Sequence, residues 1–238
     1  MLISIQQPEY FPWLGFFNKI LTVEKVVFLD NVQFKKRYFE NRNKIRTFDG
    51  WGWIMTPVLT KGRFKQKILD VMIDNSQPWQ RKITSTITQN YKNSPFWTEG
   101  GEQLCDLITK QWKRLVDFNL AVIDFFMEKL EIKREICLAS SLETKHTGSQ
   151  LILEICRKMN TSQYLSGRDG RNYLDEKSFI ASGIEILYQD FRHPAYSQFH
   201  GQFIPNVSIA DLYFNHGRGS IDIITSKESP VVFANRME

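Results

Sequence analysis

The stretch LISIQQPEYFPWLGFFNKILTVEKVVFLD, residues 2–30, predicts a strand, a loop, a helix and a second strand in that order. Leu2–Gln6 is a short apolar run, and two prolines force extended backbone in the loop that follows it. The apolar spacing over residues 13–21 suits a helix, and Val26–Leu29 is apolar again. Because a strand–helix–strand unit usually joins parallel strands, this order favours a parallel sheet.

A second alternation of strands and helices follows near the carboxyl end. The sequence predicts a strand at Gln163–Ser166, a helix at Tyr173–Ala181, a strand at Ile184–Gln189, a helix near Ser208–Asn215 and a strand around Ile221–Thr225. We therefore expect an α/β protein with a Rossmann-like, mostly parallel sheet. No repeat, low-complexity tract or long linker interrupts the chain, so residues 1–238 are expected to form one domain.

Helical patterns dominate residues 78–160, which we expect to be a helical insertion. Leu104, Ile108, Trp112 and Leu115 recur at spacings typical of one face of a single helix. Three more helices are predicted here: one at Trp79–Tyr91, one that carries Leu120, Ile123, Phe126 and Leu130, and one from Thr147 or Ser149 to Met159. A strand at Trp53–Leu59 is predicted before the insertion.

The composition is that of a globular protein. Of 238 residues, 42% are hydrophobic and 24% charged, which argues against a disordered chain. No stretch approaches the roughly 18 apolar residues of a membrane span, and Met1–Ile5 lacks the basic residues of a secretory signal. The three cysteines have no metal-type spacing and are odd in number. We expect a cytoplasmic protein with reduced thiols, no metal site and no membrane span.

Positive charge is concentrated between residues 31 and 46, where six basic residues accompany one acid. Such a cluster attracts phosphates, whether of a nucleotide, a sugar nucleotide or RNA. The interleaved Phe34, Tyr38 and Phe39 would be unusual in a purely solvated loop, so we favour a binding role. The candidate substrate-binding residues are Asn31, Lys35, Lys36, Arg37, Asn41, Arg42 and Lys44.

Polar side chains also follow the two first strands. Gln6 and Gln7 lie at the end of the first predicted strand, with Tyr10 in the loop beyond, and Asp30 ends the second strand. Open α/β sheets bind ligands at the carboxyl ends of their strands, and the helix that follows offers free N–H groups to an anion. We expect Gln6, Gln7 and Tyr10 to bind substrate and Asp30 to act as a catalytic base. A rigid proline-rich turn accounts equally well for Gln6 and Gln7.

A glycine-containing loop, YLSGRDGRNYL at residues 164–174, connects a predicted strand to a predicted helix. Glycine allows backbone N–H groups to approach anionic oxygens, and arginine adds charge. The candidate substrate-binding residues here are Ser166, Gly167, Arg168, Asp169 and Tyr173. An ordinary turn explains the loop equally well when it is considered alone.

The last candidate cluster follows the predicted strand that ends at Gln189. His193 titrates nearest to neutral pH and is the candidate catalytic base, with Asp211 as its orienting partner. Tyr196 and Gln198 are candidate substrate-binding residues in the same segment. A structural hydrogen-bonding role for a histidine before proline is the alternative.

Together these segments resemble the WbqC-like protein family. The similarity rests on QQPEYFPWLG at 6–15, FLDNVQFKKRYFENRNK at 28–44, Trp53–Val58 followed by KGRF at 61–64, YLSGRDG at 164–170 with Tyr173-Leu174, and His193-Pro194-x-Tyr196-x-Gln198 with Ser208–Asp211. These pieces occur in the same order and run from residue 2 to about residue 215, nearly the whole chain.

The resemblance implies a bacterial role in O-antigen, lipopolysaccharide or other surface-polysaccharide synthesis. One member has been proposed to transfer glycine to the amino group of a 4-amino-4,6-dideoxyhexose. The implied activity is that of an aminoacyl or other N-acyl transferase, or a ligase, acting on a nucleotide-linked 4-amino-deoxy sugar of the dTDP type. The basic run and the Gly167–Gly170 loop would then hold phosphates, and Tyr10, Trp13 or Tyr38 would stack on the base or sugar.

Several alternatives stay open. The acyl donor can be ATP with an amino acid, an acyl-CoA or an aminoacyl-tRNA, and the sequence identifies no cofactor. Apart from that RNA donor, no nucleic-acid partner is expected. The competing functions are a non-catalytic sugar-nucleotide-binding protein and an RNA-binding module that uses residues 35–46.

Overall fold

The computed structural model describes residues 1–226 and the short strand at 231–232. The strands are β1 (Leu2–Gln6), β2 (Lys25–Phe28), β3 (Arg42–Thr47), β4 (Gly50–Met55), β5 (Glu135–Leu138), β6 (Gln163–Ser166), β7 (Glu185–Gln189) and β8 (Val231–Val232). The α-helices are α1 (Leu14–Thr22), α2 (Trp79–Tyr91), α3 (Gly101–Thr109), α4 (Leu115–Lys129), α5 (Gly148–Lys158), α6 (Glu176–Ala181), α7 (Ile209–His216) and α8 (Ser220–Ile224).

The main sheet has the strand order β5-β2-β1-β6-β7-β8. The first five strands are parallel and β8 is antiparallel, while β3 and β4 form a separate antiparallel hairpin. The chain builds the sheet outward from β1 through β2 to β5, and then returns to the other side of β1 with β6. The expected α/β fold with a mostly parallel sheet and mid-chain helices is confirmed.

Both faces of the central strand are covered, which explains its nearly continuous apolar sequence. Ile3 and Ile5 pack into one hydrophobic cluster with residues of α5 and α6. Val26 and Phe28 of the neighbouring β2 belong to a larger cluster on the opposite face, formed with α1, α4 and α7. Since both faces of the sheet are covered by the apolar faces of helices, a polar ligand site can form at the ends of the central strands.

The structure corrects three predictions in the middle and at the end of the chain. The region predicted as a helical insertion also contains β5, a short edge strand that pairs in parallel with β2. The predicted single helix through Leu104 and Leu115 is two helices, because α3 ends at Thr109 and the Trp112 indole donates to the carbonyl oxygen of Leu107. The segment predicted as a strand around Ile221–Thr225 is mostly helix α8.

Residue spacing explains the helix in that last segment. Ile221 and Ile224 are three residues apart and contact the main core, while Asp222 between them is exposed. The Ile224 carbonyl oxygen also accepts a hydrogen bond from the buried Asn18 side chain of α1. Two other boundaries shift, since α6 begins at Glu176 and β4 ends at Met55. Among the described residues, no helix is long and apolar enough to cross a membrane.

Candidate functional site

A cavity of about 530 Å³ opens at the carboxyl ends of β1 and β6. Its lining residues are Gln6, Glu9, Trp13, Gly15, Phe16, Lys19, Tyr38, Phe39, Asn43, Gly167, Arg168, Asp169, Gln189, Asp190, Phe191 and Asn206. The two strands are neighbours whose connections run in opposite directions, which is where open α/β sheets bind their ligands. The volume lies within the roughly 300–1,000 Å³ of small-molecule sites. We call this space the switch-point cavity.

A larger and more open groove, about 1,000 Å³, lies at the opposite edge of the sheet. It is lined by residues before β2 and around the start of β5, including Glu24, Asp124 and Lys133. The amino ends of parallel strands seldom carry a ligand site in this fold class. We therefore take the switch-point cavity as the candidate site despite its smaller volume.

Glu9 and Lys19 are the two titratable side chains of the cavity whose properties change most. Burial raises the pKa of Glu9 to about 7, with Glu40 adding to the shift and the positive charge of Lys19 opposing it. Burial lowers the pKa of Lys19 to about 8, and Glu9 opposes that shift. Within residues 1–226, Glu9 Oε2 has no hydrogen-bond partner. At neutral pH the cavity thus contains a carboxyl group that can either accept or release a proton.

The first turn of α1 forms one wall of the cavity. Trp13 precedes the helix in extended conformation, and its indole lies over Gly15. A Cβ atom at Gly15 would lie 2.4 Å from two indole carbons, so the close approach requires glycine. Lys19 lies about one turn further along the same helix, and its side chain also lines the cavity.

The Gly167 loop forms the facing wall. It leads into a short 3-10 helix, Arg168–Asn172, and a Cβ placed on Gly167 would lie 3.7 Å from Lys19 Nζ. At Gly170 a Cβ would lie only 2.0 Å from Ser166 Oγ, so the fold of this loop requires a residue without a side chain there. Arg168 is largely exposed and 3.7 Å from Asp190, a weak ion pair that leaves its guanidinium free for a phosphate.

Gln6 and an aromatic rim complete the site. Gln6 is buried at the end of β1, and neither of its side-chain polar atoms has a hydrogen-bond partner among the described residues. Tyr38 and Phe39 pack edge to face with ring centroids 5.1 Å apart, and both remain about two-fifths exposed. Unpaired amide groups beside exposed rings suit a ligand that has both hydrogen-bonding groups and a flat surface.

Of the sequence-predicted residues, the structure brings Gln6, Gly167, Arg168 and Asp169 together in the cavity. Ser166 is buried behind them and donates to the Gly167 carbonyl oxygen at 3.1 Å, while Tyr173 is half exposed just after the 3-10 helix. Gln7 is partly buried beside the cavity but is not part of its lining. Tyr10 lies in the core, with its ring 4.9 Å from that of Phe11.

Asp30 and Asn31 lie away from the cavity. The buried Asp30 carboxylate accepts hydrogen bonds from the backbone N–H and the hydroxyl of Ser140, which joins β2 to the segment after β5. Asn31 donates to Thr144 Oγ1 at 2.9 Å in the same region. Both side chains therefore hold the edge of the sheet together in this structure.

The candidate residues of the basic run lie in four environments. Lys35 and Lys36 line a separate groove of about 390 Å³ with Arg63 and Phe64, and Arg37 occupies an exposed turn with a φ of 60°. Asn41 is buried and donates to the Thr56 carbonyl oxygen. The remaining two, Arg42 and Lys44, lie on the outer face of the β3–β4 hairpin against Trp51 and Trp53.

His193 and Asp211 are not partners in the structure. Asp211 is fully buried and accepts hydrogen bonds from the hydroxyls of Tyr196 (2.8 Å) and Tyr91 (3.1 Å) and from Gln198 Nε2 (2.9 Å). His193 Nδ1 donates to the Pro194 carbonyl oxygen, its ring packs among Phe191, Tyr196 and Phe203, and burial lowers its pKa. The Asp211 network links three segments of the chain, as expected of a structural carboxylate.

Sequence reasoning missed Glu9, Lys19, Asn43, Gln189, Asp190 and Asn206 as cavity residues. Asn43 and Gln189 are buried and support the walls, since Asn43 donates to the Phe11 carbonyl oxygen and Gln189 to that of Gly15. The one signal in the sequence that could have identified a cavity residue was the lysine at position 19 within an apolar helix. Among the described residues, no cluster of three or more His, Cys, Asp or Glu could hold a metal ion.

Comparison with known proteins adds a family and one curated relative. Residues 7–223 match the model of the WbqC-like protein family. The uncharacterized protein Rv1507c of Mycobacterium tuberculosis is 30% identical over 224 residues, which cover 93% of this chain and 96% of the relative. No solved structure matches the chain.

Proposed function

The chain belongs to the WbqC-like protein family. We propose that it is an aminoacyl or N-acyl transferase that acts on the amino group of a nucleotide-linked 4-amino-deoxy sugar. Glycine is the amino acid that we propose it transfers. The product would enter bacterial O-antigen or other surface-polysaccharide synthesis. The protein would act in the cytoplasm, the location expected from the sequence, on a sugar nucleotide present there.

The observation that supports this proposal is the pair of titratable groups in the switch-point cavity. Amide formation requires an amine that is deprotonated when it attacks the acyl carbon. Glu9, with a pKa of about 7, is suited to take up that proton near neutral pH. We assign it as the catalytic base in place of Asp30 and His193, whose side chains lie outside the cavity lining.

The remaining groups of the cavity have matching roles. Lys19 lies against the Gly167 loop, where its ammonium group would stabilise either a diphosphate or the oxyanion of the tetrahedral intermediate. Arg168 and the Gly167 loop would bind the diphosphate. Tyr38 and Trp13 would stack on the base or the sugar, and the unpaired amide of Gln6 would bind a sugar hydroxyl.

Thermal unfolding with separate additions of a dTDP-linked 4-amino sugar, dTDP and ATP tests the binding half of the proposal. Binding to the native state at a hundredfold excess over Kd stabilises it by about 2.7 kcal/mol. We expect a larger shift with the amino-sugar nucleotide than with dTDP. No shift with either nucleotide would contradict a sugar-nucleotide site.

Mass spectrometry of reactions with glycine donors tests the catalytic half. The expected product is the N-glycyl sugar nucleotide, formed by the native protein and not by the Glu9→Gln variant. Binding of the sugar nucleotide without turnover of any donor would instead establish the non-catalytic alternative.

A further inference from the structure

The outer face of the β3–β4 hairpin carries a set of side chains that the proposed function does not use. We call Arg42, Lys44, Trp51, Trp53 and Met55 the hairpin face. Both indoles and the methionine are between 42% and 48% exposed, although each is large and apolar. An exposed apolar surface of this kind marks an interaction site.

Cationic and aromatic side chains lie against one another across the hairpin face. The register pairs Arg42 with Met55 and Lys44 with Trp53 across the two strands. The Arg42 guanidinium lies 4.3 Å from the ring centre of Trp53, and Lys44 Nζ lies 4.1 Å from that of Trp51. The two indoles meet edge to face at 5.8 Å. The rings therefore attract both cations and favour these positions before any partner binds.

A comparison with Arg46 on the same strand shows what the two cations lack. The buried Arg46 guanidinium donates to the carbonyl oxygens of Thr47, Gly50, His200 and Gln202. Among the described residues, the side chains of Arg42 and Lys44 have only their aromatic contacts. Two ordered cations without carboxylate or carbonyl partners are complementary to a polyanion.

We propose that the hairpin face binds single-stranded RNA and that this RNA carries the acyl group as an aminoacyl ester, an inference that rests on the proposed function. Exposed indoles and a stacked guanidinium offer flat surfaces to unpaired bases, which a duplex does not present. The cations neutralise backbone phosphates at the same time. This combination favours a single strand over a neutral glycan, which has no phosphate for the cations to bind.

The hairpin face is close in sequence to residues of the switch-point cavity. Its Arg42 end follows Tyr38 and Phe39, which line the cavity, by only a few residues. Lys35 Nζ lies 5.1 Å from the ring centre of Tyr38 and adds a positive charge beside that ring. From the level of Arg46 to that of Arg42 the strand rises about 13 Å, enough for two or three nucleotides.

The transfer of the acyl group from the RNA to the sugar amine requires no further reactant. The sugar amine attacks the ester carbon, a C–N bond forms, and the bond from that carbon to the ribose oxygen breaks. Glu9 accepts the amine proton and returns it to the departing ribose oxygen, which leaves as a hydroxyl. The products are the N-aminoacyl sugar nucleotide and the deacylated RNA.

Fluorescence anisotropy with a labelled 12-nucleotide single-stranded RNA tests the binding, using the full chain between 50 and 200 mM salt. The variants are Arg42→Gln/Lys44→Gln and Trp51→Ala/Trp53→Ala, and the matched control is Lys92→Gln/Lys110→Gln, which removes two exposed lysines elsewhere. We expect the arginine–lysine variant to reduce the slope of log K against log salt by about 1.4. The tryptophan variant should bind at least about tenfold more weakly at every salt concentration.

Three outcomes would overturn the inference: no RNA binding at 50 mM salt, equal loss in the control variant, or equal affinity for a 12-base-pair duplex. Preference for vesicles of 30% phosphatidylserine over RNA, or a dimer that the tryptophan variant dissociates, would also overturn it by assigning the face to a membrane or a second copy. The thermal shift with the amino-sugar nucleotide is measured on the same variants. A retained shift without RNA binding would reject this inference and leave the proposed function standing.

Discussion

Glu9 and Lys19 line the same cavity from different segments of the chain, and each partly offsets the pKa shift that burial imposes on the other. Neither shift is cancelled, because the cost of burial exceeds the attraction between the two charges. Both groups therefore titrate within about a unit of neutral pH. Groups tuned in this way are concentrated at sites of proton transfer.

The first prediction concerns the pH dependence of turnover. Glu9 must be deprotonated to act as a base, so kcat should fall as the pH drops through about 7. The Glu9→Gln variant should lose about 10²–10⁴-fold in kcat at pH 7.5, as is typical of removing a general base. Glu102→Gln, an exposed change on α3, is the matched control and should leave the profile unaltered. An acid limb that persists in Glu9→Gln would assign the base elsewhere.

The second prediction concerns stability and follows from the same pKa. Because the folded state raises the pKa of Glu9 from 4.5 to about 7, it favours the protonated form, and stability due to this group is lost as the pH rises from about 4.5 through 7. The Glu9→Gln variant should gain about 3 kcal/mol in free energy of unfolding relative to the native protein between pH 4.5 and pH 8. Urea unfolding at both pH values measures the difference. A change of opposite sign would show that Glu9 is stabilised as an anion.

The third prediction concerns the Gly167 loop. Gly170→Ala places a Cβ against Ser166 Oγ, so the loop must shift, at a cost of about 1–3 kcal/mol and with loss of sugar-nucleotide binding. Adding Ser166→Ala should restore much of both losses, since it removes the clashing atom. Gly219→Ala has open space around it and should be nearly neutral. Calorimetric titration and urea unfolding provide the two measurements.

The fourth prediction concerns Arg168. Within the part of the chain that the structure describes, Arg168 has one ion pair, which is long and exposed. Arg168→Gln should therefore leave the free energy of unfolding within about 0.5 kcal/mol of the native value. The Kd for the sugar nucleotide should rise about tenfold, because a charge-assisted contact to the diphosphate is lost. Arg81→Gln on the exposed side of α2 removes the same charge without touching the cavity. Equal affinities for the Arg168 and Arg81 variants would place the diphosphate elsewhere.

The fifth prediction separates a structural carboxylate from a catalytic one. Asp211→Asn replaces a buried acceptor of three hydrogen bonds by a group that is also a donor, and should cost about 2–4 kcal/mol of stability. Any activity that remains in the folded fraction should keep the native pH profile. Asp222→Asn, exposed on α8, is the control. A stable Asp211→Asn protein with an altered pH profile would restore Asp211 to the catalytic machinery.

The fold was largely predictable because its central strands have strong local signals. The bounds of β1, β6 and α2 agree with their predictions to the residue. The edge strand β5 was missed because its four residues are partly exposed and carry no alternation of buried and exposed positions. The break after α3 was missed because Trp112 continues the apolar spacing while its backbone has already left the helix.

The candidate site was less predictable than the fold. Gln6 and the Gly167 loop could be identified because strand ends are visible in the sequence. Glu9 and Lys19 could not, since their pKa shifts arise from burial, which depends on segments far apart in the chain. Asp30 was an attractive candidate by the same strand-end argument, but its position beside β5 gives it Ser140 as a partner.

The pairing of β1 with β6 also determines when the cavity can exist during synthesis. Gln6, Glu9 and Lys19 leave the ribosome early, whereas the facing wall extends to Asn206. Until that residue has emerged, a nascent chain contains only part of the cavity lining. Such distant pairings form slowly, because a long loop must close before its contacts stabilise it. The complete cavity is therefore a property of the nearly finished chain, and a product truncated before Asn206 would lack part of its wall.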